Sequence, residues 1–108
     1  MAVLSGDTTA NIHDFLICHQ LDHFIAWCAG SEAPPIKPDP QMVWTACEVL
    51  AVPPERCLVI GDSALDLDLA RRSRSKGFVS VTWGGSPAIG PADWVVHTPT
   101  ALIDGLTA

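Results

Sequence analysis

The stretch Cys57-Leu58-Val59-Ile60-Gly61-Asp62-Ser63-Ala64-Leu65-Asp66 runs from an unbroken apolar segment straight into a helix start. Four apolar residues closed by glycine predict a strand buried on both faces, the kind found in parallel sheets. Ser63 and Asp66 have the spacing of a capping box, so a helix is expected from about Ala64 to Ser75, with Gly77 as its terminator. Capping accounts for Ser63 and Asp66 but not for Asp62, a carboxylate at the end of an apolar strand. In open parallel α/β sheets ligands bind beyond the carboxyl ends of the strands. Two carboxylates one helical turn apart at that edge suit a hard cation such as Mg²⁺.

Working outward, short apolar runs alternate with helical patterns, the mark of βα units. Ala2-Val3-Leu4 reads as a strand followed by a Ser5-Gly6-Asp7 turn. A helix is expected over Thr9 to His19, with Ile12, Phe15 and Leu16 on its inner face and His19 as a helix-end residue. Phe24 to Cys28 reads as a second strand, and Gly30 to Pro38 as a Pro-rich loop. Asp39 is placed as the cap of a helix that buries Val43, Ala46, Val49 and Leu50 and stops at Pro53-Pro54. Phe78 to Thr82 and Trp94 to Val96 are further strands, and Thr100 to Leu106 a terminal helix. Arg71, Arg72, Arg74 and Lys76 cluster where they complement a helix dipole; anion binding is the other reading of that cluster.

Two more residues are candidates for chemistry. Lys37, in Ile36-Lys37-Pro38-Asp39-Pro40, is expected to project from a stiff extended segment as a compact cation able to hold a phosphoryl oxygen. Taken alone, such a lysine is usually only a solvated surface charge. Ser5, with the backbone at Gly6, can cradle an anion at a strand end, although Ser-Gly is also an ordinary turn.

Composition narrows the field. The chain has 108 residues, 48% of them hydrophobic, so a single small domain spanning 1–108 is expected. Twelve acidic residues against six basic ones give a formal net charge of -6, which argues against a nucleic-acid partner. No apolar run is long enough for a membrane span. Cys18, Cys28, Cys47 and Cys57 include no C-x-x-C pair and lie in apolar stretches, so buried reduced thiols and a cytoplasmic location are expected. A dinucleotide-binding or Walker-type domain is disfavoured, because no Gly-x-Gly-x-x-Gly or Walker sequence is present.

A strand-end Ser5, then Lys37 in Lys-Pro-Asp-Pro, then Gly61-Asp62-Ser63 with Asp66, in this order, resemble the haloacid dehalogenase superfamily, nearest its phosphoglycolate-phosphatase-like branch. The resemblance implies a three-layer, Rossmann-like parallel sheet of order 5-4-1-2-3. It also implies phosphomonoester hydrolysis by an aspartate nucleophile, with Mg²⁺ as cofactor and a small phosphomonoester as substrate. By that resemblance Ser5 and Gly6 bind the phosphoryl group, Lys37 neutralises it, Asp62 binds Mg²⁺, and Asp66 supports the ion directly or through water.

The family's Asp-x-Asp motif belongs well upstream of Ser5, where this chain has four residues; its one Asp-x-Asp, Asp66-Leu67-Asp68, lies inside the expected helix. The expectation is therefore a partial domain whose central first strand and cap are missing and which is inactive by itself. Three remedies for the open slot are foreseen: direct pairing of its flanking strands, a strand from a second copy in a homo-oligomer, or a complementing N-terminal segment. The alternative is a non-catalytic relic, serving as a binding or oligomerisation module of the same fold.

Overall fold

In a computed structural model, which describes residues 1–107, five parallel-paired strands and four α-helices alternate along the chain. The strands are β1 (Ala2–Leu4), β2 (Trp27–Ala29), β3 (Leu58–Gly61), β4 (Gly77–Val81) and β5 (Trp94–Val96). The helices are α1 (Thr9–Cys18), α2 (Gln41–Leu50), α3 (Ala64–Ser73) and α4 (Pro99–Thr107). Among the described residues no helix is long and apolar enough to cross a membrane.

The strands form two separate sheets, β1-β2 and β3-β4-β5. Leu58 to Gly61 register against Gly77 to Ser80, while Ala2 to Leu4 register against Trp27 to Ala29. Strands β1 and β3 are not paired with each other; residues of both line a cleft of about 670 Å³. Of the three foreseen remedies, direct pairing of the flanking strands is thus not adopted. One face of β3 is open as a result: Leu58 and Ile60 are 40% and 43% exposed despite their apolar side chains.

Helix α2 bridges the two sheets. Met42, Val43 and Cys47 are buried against Leu69 of α3, with Leu4, Ala29, Cys57 and Val59 packed around them. Trp44 adds a polar tie, its indole N–H donating to the Ser73 carbonyl at 3.1 Å and so satisfying one of the orphan carbonyls at the end of α3. A second cluster, Val79, Val81 and Val96 with Trp94 and Leu102, fixes β4, β5 and α4.

Several boundaries differ from the sequence expectation. The second strand starts at Trp27, because Ala26 N–H donates to the Met1 carbonyl and the ladder begins there; Phe24 instead closes a short 3₁₀ turn and is exposed. On α1, Ile12 and Leu16 are buried, but Phe15 is exposed and packs on the His19 ring with centroids 4.4 Å apart. On α2 the inner face is Met42, Val43, Ala46 and Cys47, and Val49 faces solvent. That helix starts at Gln41, one residue later than expected, yet Asp39 Oδ1 still accepts the Gln41 N–H at 2.9 Å. Helix α3 ends at Ser73 with Arg74 in the left-handed region (φ 57°), rather than running to Ser75 with Gly77 as its terminator. Gly77 opens β4 instead, where a Cβ would come within 2.9 Å of the Asp93 carboxylate. Cys18 is exposed and Cys28 and Cys57 are half-buried, so only Cys47 meets the expectation of a buried thiol.

Candidate functional site

The turn from β3 into α3 is built around Asp66, which is buried. Ser63 caps α3, its hydroxyl oxygen accepting the Asp66 N–H at 3.3 Å. The same hydroxyl donates to Asp66 Oδ2 at 3.0 Å, and the Asp62 N–H donates to that oxygen at 3.2 Å. The returning carboxylate thus takes the amide one residue before the cap, a variant of the expected capping box. Gly61 makes this possible: a Cβ there would sit 2.3 Å from Asp66 Oδ2. In the sequence Gly61 reads only as a strand end, yet its missing Cβ shapes this turn. The available signal was glycine directly before Asp62, where a backbone must approach closely.

The remaining oxygen, Asp66 Oδ1, accepts a 2.7 Å charge-assisted hydrogen bond from Lys37 Nζ, with the two side chains 20% and 9% exposed. Lys37 lies in a turn rather than an extended segment: the Lys37–Pro38 peptide is cis, and the Asp39 N–H donates to the Ile36 carbonyl at 2.8 Å. The turn follows β2 while Asp66 follows β3, so this ion pair ties the two sheets together across the end of the cleft.

Asp62 points elsewhere. Its residue is exposed, and no hydrogen bond reaches its carboxylate among the described residues. Gly84, in the loop after β4, faces it; a Cβ there would lie 3.4 Å from Asp62 Oδ2. Lys37, Asp62 and Asp66 all line the cleft between β1 and β3, together with Leu4 at the end of β1.

Ser5 follows Leu4 and is not part of that lining. Its N–H donates to the Ala29 carbonyl at 3.1 Å and its Oγ accepts the Asp7 N–H at 3.1 Å, which leaves the hydroxyl proton free to donate. Space beside Gly6 is open, since a Cβ there would meet nothing within 4 Å. Below this turn, Asp7 accepts from Thr8 N–H and Asn11 Nδ2, both at 2.8 Å. The Asn11 amide, then the Thr8 backbone, hold the Asp7 carboxyl below its usual range. Thr9, through its hydroxyl first with the Glu32 and Thr9 amides adding, does the same for Glu32. Gly30 threads between them, where a Cβ would lie 2.4 Å from the Asp7 carbonyl oxygen.

The donor chemistry bears on whether a divalent cation fits. Among the described residues no three His, Cys, Asp or Glu side chains gather into a ready-made ligand cage. Both Asp66 oxygens are committed, so Asp62 is the open oxygen donor. One carboxylate suffices for an ion that keeps most of its waters and takes a substrate oxygen, as Mg²⁺ does.

Helices alternating with parallel strands, and charged side chains gathered where the β3 strand ends, define a Rossmann-like α/β domain with a charged cleft at a strand end. Comparison with known proteins places it further. The family model for haloacid dehalogenase-like hydrolases matches residues 1–74, and the chain belongs to that family. The N-acetylmuramic acid 6-phosphate phosphatase of Pseudomonas aeruginosa is 37% identical over 75 residues, 65% of this chain and 33% of that protein. A predicted phosphoglycolate phosphatase from Haemophilus somnus superposes with a TM-score of 0.84 at 25% identity, covering 99% of this chain and 49% of that one. A haloacid-dehalogenase-superfamily hydrolase from Geobacter sulfurreducens gives a TM-score of 0.81 at 23% identity, over 97% of this chain and 47% of that one. The chain thus spans about a third of the curated relative and about half of these solved structures.

Proposed function

We propose that this chain presents the anion-holding and cation-holding half of a phosphomonoester-hydrolase site. The observation that carries the reading is that Lys37 and Asp62 line one cleft, with Asp66 accepting from both the lysine and the Asp62 amide. Lys37 sets an ammonium beside the position of a phosphoryl group and, still hydrogen-bonded to Asp66, offers its other protons to the phosphoryl oxygens. Asp62 would hold Mg²⁺, which when bound would supply positive charge to offset the negative charge developing on the phosphoryl oxygens. Asp66 is a positioning residue: its two oxygens orient Lys37 and the Asp62 backbone. The Ser5 hydroxyl and the open Gly6 turn offer further donors to the phosphoryl group.

Hydrolysis by this family's route also needs a carboxylate nucleophile, and the cleft between β1 and β3 is where such a group would have to enter to meet Lys37 and Asp62. The chain alone is therefore proposed to be inactive, with turnover arising when a segment carrying that carboxylate fills the cleft. The substrate class is a small phosphomonoester, consistent with the sugar-phosphate and phosphoglycolate phosphatases it is similar to.

A p-nitrophenyl phosphate assay with Mg²⁺ tests this. The chain alone is expected to show no turnover above background. Clear activity that disappears in Asp62→Asn would overturn the claim that the nucleophile must be brought in.

A further inference from the structure

The wall of the cleft holds a second chemical feature, away from Lys37. Cys47, on the last turns of α2, and Cys57, just before β3, carry free thiols whose Sγ atoms are 3.4 Å apart and hydrogen-bonded to one another. Both residues line the cleft, so a small reagent can reach a pair that is otherwise shielded. A disulfide needs its sulfurs about 2.0 Å apart. Side-chain torsions of the half-buried Cys57 can supply the remaining approach.

We propose that Cys47 and Cys57 form an oxidisable dithiol, a modification site that reacts with peroxides entering the cleft and closes into a disulfide linking α2 to the start of β3. The Cys57 thiol gives its proton to solvent, its thiolate attacks one peroxide oxygen, the O–O bond breaks, and hydroxide or alkoxide leaves and takes a proton back from solvent as water or an alcohol, giving a sulfenic acid. The Cys47 sulfur then attacks the Cys57 sulfur; the S–S bond forms, the S–O bond breaks, and hydroxide departs with the Cys47 proton as water. Two thiols are oxidised and one peroxide is reduced. The division of labour follows from surroundings. Burial first, then the hydrogen bond with Cys57, push the Cys47 thiol up to about 12, so Cys47 keeps its proton and serves as the resolving partner.

The link would join elements on either side of the Lys37–Asp66 tie, because α2 follows the Lys37 turn and β3 leads into Asp62 and Asp66. Any occupant of the cleft would screen the same two sulfurs, so reactivity would report occupancy. The proposal needs no catalytic activity, and it stands or falls separately from the hydrolase reading.

Hydrogen peroxide treatment of the full chain, followed by non-reducing peptide mapping, tests the pairing. Cleavage after Arg56 separates the two cysteines in sequence, so the expected product is a Cys47–Cys57 linked peptide pair that dithiothreitol releases. The same link is expected in C18S/C28S. A sulfenic acid trapped on Cys57 by dimedone, with no link, is expected in C47S. Phenylarsine oxide supplies a test on the unaltered chain: one equivalent should be retained, released by ethanedithiol but not by a monothiol, and should shield Cys47 and Cys57 alone from maleimide. Links to Cys18 or Cys28 instead, or maleimide labelling of Cys57 undiminished by both reagents, would overturn the proposal.

Discussion

The two sheets differ in how they are held. In β3-β4-β5 the middle strand is enclosed: all five residues of β4 are buried and Phe78 is 0% exposed. In β1-β2 each strand is three residues long and none of the six is fully buried. The enclosed sheet draws stability from its own packing, whereas the two-stranded one depends on α2 and on the Lys37–Asp66 pair. Charged side chains from both sides meet at the cleft, so site geometry is only as good as the bridge between the halves.

The largest effect that would test this contrast comes from the enclosed sheet. Phe78→Ala should cost about 3–5 kcal/mol and unfold both halves together, since Leu4 and Ala29 of β1-β2 pack on a cluster shared with α2 and α3. Chemical denaturation followed by amide exchange would check it, and protected β1-β2 amides after loss of β4 would break the comparison. A smaller and more selective effect is expected from Gly61→Ala. The added methyl must displace the Asp66 carboxylate, at a cost of about 1–3 kcal/mol, and with it the tie to Lys37. Amide exchange should then quicken in β1 and β2 while β4 stays protected; equal loosening of both would show that the pair is not the bridge.

The smallest effect is one of pH. The native chain holds the Asp7 and Glu32 carboxyls below their usual range, so it favours their charged forms. Their contribution is present above the unfolded-state values and is lost as pH falls through the depressed native ones, below about pH 4. The Thr8, Thr9 and Asn11 amides should lose protection in that window before β4 does, and a β4 that loosens first would reverse the assignment.

The sequence showed most clearly what is local. The strand from Leu58 to Gly61, the Ser63 cap and the alternation of helices with parallel strands all follow from apolar runs and capping chemistry a few residues wide. The order of the strands around an open slot was legible only through resemblance to a family. Tertiary effects stayed hidden. Phe15 and Val49 lie on helical faces that a three-residue strand pair is too small to cover. The turn at Lys37 reflects its partner Asp66, 29 residues away, and the meeting of Cys47 with Cys57 depends on how α2 returns to β3. Asp66 was legible both as a cap and as a candidate site residue, and in the structure one of its oxygens accepts from the Ser63 hydroxyl while the other accepts from Lys37.

The proposed hold of Asp62 on a divalent cation beside Lys37 is open to a magnesium titration followed by NMR. Saturable shifts of the Gly61, Asp62 and Gly84 amides are expected at millimolar Mg²⁺, lost in Asp62→Asn while the Lys37–Asp66 pair persists. No shifts at these concentrations, or the same shifts in Asp62→Asn, would contradict it.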